Sequence, residues 1–302
     1  MKLKILSWNI NYIHDNWFER IKFINKELKK DVNTYDIIAL QEAILPFSNA
    51  IHDIYKFLKQ TPDITYFPSA ELSMEINFLY NTIKEKYPKY KLIFLNILEF
   101  VMNKILFICS FIFSKYGEFL KNIYFEYPYM CIILLILCPF LFMLCWFFFG
   151  MLTILNKKIK GTIQTKFIGR ILQYTEFEYN KKQILFLNVH LSPEQKFKKR
   201  KEEIYKIIEL INQKKHDICI LAGDFNTIPT DYVYKFLKKN NFKSVIKETF
   251  DKELNTFPSK YPNRCLDYIW VKGTNYKILK AKLFGNFKAT DHKGIKLVLD
   301  IN

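Results

Sequence analysis

Thirty consecutive residues, YPYMCIILLILCPFLFMLCWFFFGMLTILN (127–156), carry no charged side chain. As one helix they would extend about 45 Å, against a bilayer hydrocarbon core of about 30 Å. No polar stripe interrupts the run, so it does not suit the surface helix of a water-soluble domain. It lies in the middle of the chain, with lysine-rich sequence on both sides. A single membrane crossing there would put the two halves of the protein on opposite sides of a bilayer. Any activity that needs residues from both halves therefore demands an even number of crossings, or none.

Both halves read as layered α and β structure. KLKILSW (2–8) and DIIALQE (36–42) are short apolar runs that suit buried strands, and WFERIKFINKELKK (17–30) between them has helical spacing. After residue 158, GTIQTKF (161–167) and ILQYTEFEY (171–179) alternate as strands do. QILFLNVHL (183–191) is a strong buried strand. Ser192, Pro193 and Gln195 then read as a capping box opening a helix to about Gln213, with Ile204, Ile207, Ile208 and Ile211 on one face. DICILAGDFN (217–226), LDYIWV (266–271), YKILKAKLF (276–284) and GIKLVLDI (294–301) complete a strand-rich second half.

Six of these strands meet acidic, amide or imidazole groups at one end. Asn9 follows KILSW, Glu42 follows IIALQ, and His190 follows LFLNV. Asp224 and Asn226 follow ICILAG, Asp267 opens DYIWV, and Asp291-His292 precedes GIKLVL. One such ending is commonplace, because strand ends meet loops. Six together point to strands converging on a single polar cleft.

SWNIN, LQE, NVHLSP, GDFN, LDYI and TDHKG occur in the order that marks the endonuclease/exonuclease/phosphatase superfamily, which the chain resembles over about residues 1–70 and 158–302. The resemblance implies a DNase I-like four-layer α/β sandwich, two sheets face to face with helices outside, and a metal-dependent phosphoric ester hydrolase. Hydrolysis of a phosphodiester needs a placed water and stabilisation of the charge that grows at phosphorus. A hard divalent cation with oxygen ligands supplies this, Mg²⁺ being expected and Mn²⁺ the alternative. The resemblance makes Glu42 the main metal ligand, helped by Asn9 and Asp291. Asp224 would orient or deprotonate the water. Asn226 and His190 would donate to phosphoryl oxygens. His292 would act as general acid or charge stabiliser, with Asp267 fixing its tautomer. A histidine at position 190 favours sphingomyelinase-, deadenylase-, 5-phosphatase- or DNase I-like relatives over abasic-site endonucleases. The family's strand reading GLAILSK is expected, in degraded form, at 161–167.

The stretch from Glu42 to Gly161 is longer than the family needs, and the excess falls at about 85–158. LIFLNILEFVMNKILFICSFIF (92–113) is also apolar, with Asn96, Glu99, Asn103 and Ser110 on one narrow helical stripe. Residues 92–155 therefore read as a membrane-associated helical hairpin inserted in the catalytic domain 1–302, or as an interfacial helix followed by a re-entrant segment. Either keeps both catalytic halves together. Lysines 84, 86, 89, 91, 157, 158 and 160 flank the hairpin, against lysines 115 and 121 in its turn, so the catalytic domain is expected on the cytoplasmic side.

The formal charge is +17, from 46 Lys plus Arg against 29 Asp plus Glu. That excess suits a polyanionic partner, either a phospholipid surface or nucleic acid. The six cysteines show neither zinc spacing nor a disulfide framework, so a reducing compartment is expected. Residues 1–7 are too short an apolar run for a secretory leader. Three readings compete: a membrane-anchored phosphodiesterase acting on phospholipid head groups, a membrane-tethered nuclease, and a non-catalytic membrane scaffold.

Overall fold

A computed structural model of the chain describes residues 1–11, 17–43, 64–70, 150–168 and 170–302. Two compact units divide the chain. Met1–Ala43, Lys56–Ser69 and Gly150–Asn302 form one of them. The other, Ile44–Tyr55 with Ala70–Phe149, lies almost wholly outside the described residues. The proposed first leg of the hairpin and most of its second leg fall there. Among the described residues no helix is long and apolar enough to cross a membrane.

The first unit is built on two six-stranded sheets. Its strands are β1 (Lys2–Asn9), β2 (Ile37–Gln41), β3 (Ile64–Ala70), β4 (Gly150–Asn156), β5 (Gln164–Phe167), β6 (Ile171–Tyr179), β7 (Lys182–His190), β8 (Ile218–Asp224), β9 (Lys243–Ser244), β10 (Asp267–Gly273), β11 (Tyr276–Phe284) and β12 (Gly294–Ile301). One sheet runs β11-β12-β1-β2-β4-β3 and the other β5-β6-β7-β8-β10-β9. The described helices are α1 (Trp17–Asp31), α2 (Phe197–Asn212), α3 (Tyr232–Lys239) and α4 (Val245–Phe250).

Alternation along the strands sets the layers. Leu3 and Ile5 of β1, Ile37 and Ala39 of β2, and Leu155 of β4 are buried in one cluster with Ile184 and Phe186 of β7 and Ile218 and Ile220 of β8. That cluster is the seam between the sheets. On the far face of the second sheet, Leu185, Leu187, Cys219 and Leu221 pack with Ile204, Ile207 and Ile211 of α2 and Val233 and Leu237 of α3. The four isoleucines expected on one face of this helix are all buried. Full burial of each such side chain stabilises the fold by roughly 1.5–3 kcal/mol.

A buried polar layer crosses the seam near the catalytic end. Gln41 Nε2 donates to Asn188 Oδ1 at 2.8 Å and to Ser7 Oγ at 3.3 Å. Asn188 Nδ2 reaches Thr153 Oγ1 at 3.1 Å, and Thr153 in turn donates to Gln173 Oε1 at 2.7 Å. These side chains come from β1, β2, β4, β6 and β7, so the bonds join one sheet to the other. A slip between the sheets would leave buried donors unpaired, at roughly 1–3 kcal/mol each. The layer therefore holds Asn9, Glu42 and His190, one or two residues further along the same strands, in fixed register.

Three sequence expectations change. The helix expected to reach residue 155 does not include Gly150–Asn156, which is β4, antiparallel to β2 with Ile37 opposite Leu155 and Gln41 opposite Met151. A fully buried strand and a buried helix are both continuous apolar runs, which periodicity cannot separate. The strand expected at 161–167 is confined to Gln164–Phe167, while the apolar stretch GMLTILN before it forms β4. The capping box is not formed. The Ser192 N–H and Oγ both donate to the Glu203 carboxylate, at 2.8 and 2.6 Å. A short 3₁₀ turn, Glu194–Lys196, precedes α2 instead, and neither has a side-chain cap. A buried carboxylate taking two donors outcompetes a neutral cap.

Candidate active site

The strand ends bring the polar residues together. β1 and β2 are parallel and adjacent in one sheet, with Asn9 opposite Gln41. β7 and β8 are parallel and adjacent in the other, with His190 opposite Asp224, and β10 pairs Asp267 with Asp224. Gly223 allows the second arrangement. Its φ is +151°, and a Cβ there would lie 1.8 Å from the Val189 carbonyl oxygen. No other residue brings β8 so close to β7 beside the Asp224 carboxylate.

Asn9 cross-links the acidic groups. Its Oδ1 accepts the Asn11 N–H at 2.9 Å, which orients the amide. Its Nδ2 donates to Glu42 Oε1 at 3.1 Å and to Asp224 Oδ2 at 3.0 Å. The sequence reading has Asn9 assist the cation directly. Here its oxygen is engaged by backbone and its nitrogen faces the carboxylates. Asn11, Glu42 and Asn226 all have positive φ, of 37°, 49° and 48°. Backbone held in this region by non-glycine residues costs on the order of 1 kcal/mol each, and such cost gathers at functional sites.

The two histidines are in opposite states. His292 Nδ1 lies 2.9 Å from Asp267 Oδ2, and Nε2 lies 3.8 Å from Asp224 Oδ2. Burial alone would lower its pKa, but Asp267, then Asp224 and Asp291, outweigh burial and carry it up to about 10. His292 is thus an imidazolium at neutral pH. Phe257 lies against it, with ring centroids 4.9 Å apart. His190 Nε2 lies 3.0 Å from a guanidinium nitrogen of Arg170. A guanidinium only donates, so Nε2 is the acceptor and the proton sits on Nδ1. Burial, then Arg170 and His292, holds His190 well below its ordinary pKa. It is therefore neutral.

Asp224 is pushed up to about 7, first by burial and then by Asp267. The charge of His292 and hydrogen bonds from Asn226 and Asn9 oppose the rise. A carboxylate near 7 is suited to general-base work. Asn226 closes a tight turn on it, its N–H reaching Asp224 Oδ1 at 2.8 Å, while its own amide donates to the Leu191 carbonyl at 3.0 Å. Asp291 sits at the edge, with Oδ1 4.0 Å from His292 Nε2 and 3.3 Å from Thr290 Oγ1.

Among the described residues, two groups of side chains bring their ligand atoms within 4.8 Å of one another: Glu42, His190 and Asp224, and Asp224, Asp267 and His292. Neither is a closed cage for a cation. His190 Nε2 already accepts from Arg170, and the His292 ring is protonated against Asp267. Glu42 is different. Its side chain is 20% exposed, and one carboxylate oxygen is left free of Asn9. A single open carboxylate with room for water and substrate oxygens fits a small hard divalent cation, which seldom takes an all-protein cage. It does not fit zinc, which favours nitrogen and sulfur donors in a tetrahedron.

Sequence reasoning missed three contributors. Arg170, at the turn between β5 and β6, carried no motif; only the β6–β7 register, Leu172 opposite Val189, places it beside His190. Thr290 Oγ1 donates to the Asn9 carbonyl at 3.0 Å and accepts the His292 N–H at 3.3 Å. Thr256 Oγ1 accepts the N–H groups of Leu266 and Asp267, at 3.1 and 3.2 Å.

Two apposed mixed sheets with carboxylates, amides and imidazoles gathered at their strand ends define a metal-dependent phosphoric ester hydrolase. The Endonuclease/Exonuclease/phosphatase family profile matches residues 6–292, and the chain belongs to that family. No curated protein matches it significantly. Among solved structures it is similar to humanised D. rerio TDP2 carrying 14 mutations, at 15% identity over 99% of each chain and a TM-score of 0.61. D. rerio TDP2 complexed with single-strand DNA product aligns at 16% identity, 99% of each chain and a TM-score of 0.60. An endonuclease/exonuclease/phosphatase family protein from Leptotrichia buccalis C-1013-b aligns at 17% identity, 99% of each chain and a TM-score of 0.58. At these identities the likeness is one of fold.

Proposed function

We propose that this chain is a Mg²⁺-dependent phosphodiesterase held at a membrane, acting on a phosphodiester of a phospholipid head group. The observation that carries the reaction is the pairing of two opposite electrostatic states in one cleft. Asp224, near 7, is a base at hand, while His292, near 10, is a fixed positive charge 3.8 Å away. Glu42 and Asp291 would hold the cation, which when bound neutralises charge on the phosphoryl oxygens. Asp224 takes the proton from the attacking water. The His292 imidazolium, fixed by Asp267, stabilises the charge that builds on the phosphoryl group or protonates the leaving oxygen. Asn226 and the Arg170 guanidinium donate to the remaining oxygens, while His190, expected from the sequence as a donor, instead accepts from Arg170 through Nε2 and positions that guanidinium.

The membrane part rests on the sequence between β3 and β4. These strands are neighbours in one sheet, which supports an insert that leaves and re-enters the domain at one edge. With β4 removed from the uncharged run, 127–149 is still apolar throughout. As a helix it would span about 34 Å, close to the bilayer core. Paired with 92–113, it makes two crossings, with the catalytic domain facing the cytoplasm.

A membrane-tethered nuclease is the second reading. It is favoured by the +17 charge and by the fold shared with a protein solved with single-strand DNA product. One experiment addresses both. Purified protein with Mg²⁺ is offered sphingomyelin, glycerophospholipids, inositol phosphates, and single- and double-stranded nucleic acid. Glu42→Ala should lose turnover by at least a hundredfold on whichever is cleaved, with an unchanged circular dichroism spectrum. Undiminished turnover in that variant would remove Glu42 as the metal ligand. Cleavage of nucleic acid alone would replace the lipid reading.

A further inference from the structure

Away from the cleft, α2 and α3 share an exposed face on which aromatic rings and lysines alternate. Phe197, Lys201 and Tyr205 recur every four residues along α2, and Tyr232, Phe236 and Lys239 follow one line of α3. Phe197 is 48% exposed and Tyr205 44%. The two lines touch. Tyr205 meets Phe236 edge-on at 4.8 Å, its hydroxyl bonds that of Tyr232, and Tyr232 stacks on Phe236 at 5.6 Å. Lys201 Nζ lies 4.6 Å over the Tyr232 ring. Lys198, Lys206 and Lys235 are exposed nearby, against the carboxylates of Glu202 and Glu209, and α3 itself contains no acidic residue.

We propose that this face lies on an anionic phospholipid bilayer. Rings with a polar edge, bordered by cations with long apolar stems, suit the zone between head groups and acyl chains. Each lysine near such a surface favours binding about fivefold. Single-stranded nucleic acid is the rival occupant, because it also takes aromatic rings and cations. It would need free ring faces for its bases to stack upon. Tyr232 already stacks on Phe236 and has Lys201 over its ring, and Tyr205 meets Phe236 edge-on, so these rings are engaged with one another rather than presented to bases. The helices also place the face well. Phe197 and Tyr232 stand at the N-terminal ends of α2 and α3, which follow the His190 and Asp224 strand ends of β7 and β8. Contact there would bring the cleft toward the lipid, in addition to any tether supplied by the insert. The inference does not depend on the reaction assigned above.

The test is lysine acetylation footprinting of the full chain, read by mass spectrometry. The probes are phosphatidylcholine vesicles, the same vesicles containing phosphatidylserine, and a single-stranded oligothymidylate. Neutral vesicles control for tethering by the insert, and Lys277 and Lys280 on the exposed strand β11 are internal references. Phosphatidylserine vesicles should slow acetylation of Lys201 and Lys239 at least threefold beyond neutral vesicles and leave the references unchanged. In a Phe197→Ser, Tyr205→Ser variant this slowing should disappear, while hydrolysis of a soluble diester stays as in the parent. Slowing by oligothymidylate alone, equal slowing by neutral vesicles, or a variant that keeps full protection would each overturn the proposal. Because the footprint is read without turnover, it stands or falls separately from the catalytic reading.

Discussion

Asp267→Asn tests the charge state on which the proposed chemistry rests. The substitution preserves shape and leaves an oxygen to accept from His292 Nδ1, but it removes the charge 2.9 Å from the ring. The rise of His292 from 6.5 to about 10 corresponds to roughly 5 kcal/mol of preference for the imidazolium in the folded state. Asp267 is the foremost of the carboxylates that oppose burial there. Breaking a buried pair of this kind costs about 3 kcal/mol. The pH window follows from the sign. Because the folded value lies above the unfolded one, this stabilisation is complete below about pH 6.5 and is lost as pH rises toward 10. Denaturant unfolding of the parent should therefore weaken across that window. The variant should be less stable at pH 6.5 and nearly flat above it. Its His292 should titrate well below 10 by imidazole NMR, because burial then acts with less opposition. Turnover of a soluble diester at pH 8 should fall about a hundredfold. A variant that keeps a His292 midpoint near 10, or the parent's slope of stability against pH, would refute Asp267 as the source of the charge.

Arg170→Gln should allow the His190 pKa to climb back toward 6.5 and change its ring tautomer, both visible by ¹⁵N NMR, with turnover down at least tenfold. His190 is depressed in the folded state, so the parent should lose stability as pH falls through about 6.5, and this variant should lose less. Gly223→Ala should fail to give folded protein by circular dichroism, since a methyl group 1.8 Å from the Val189 carbonyl cannot be accommodated without parting β7 from β8. Millimolar Mg²⁺ should raise the thermal midpoint of the parent and leave that of Glu42→Ala unchanged, as expected if the cation binds the folded state through that carboxylate.

How far the site could be read in the sequence depended on whether the signal was local. Asn9, Glu42, His190, Asp224, Asp267 and His292 were legible because each stands at the end of an apolar strand, within a short motif. The two histidines could be named but not distinguished. Their opposite states come from partners 20 to 25 residues away: Arg170 for His190 and Asp267 for His292. The sheets were legible as period-two or continuous apolar runs. Gly150–Asn156 was not, because its apolar character continues unbroken from 127–149 and only its pairing with β2 marks it as a strand.

By itself the sequence determined which groups the chain brings to its strand ends, in what order, and that both halves must meet on one side of any membrane. That much is a matter of side-chain chemistry and covalent order. Only the tertiary structure decided which partner each group takes. Ser192 is drawn to Glu203 across a turn of helix rather than to its own helix start. Gln41 and Asn188, unremarkable in their strands, become the polar link between two sheets. In a buried, low-dielectric interior the nearest satisfied partner wins, and what is nearest is set by register and packing across many residues of chain.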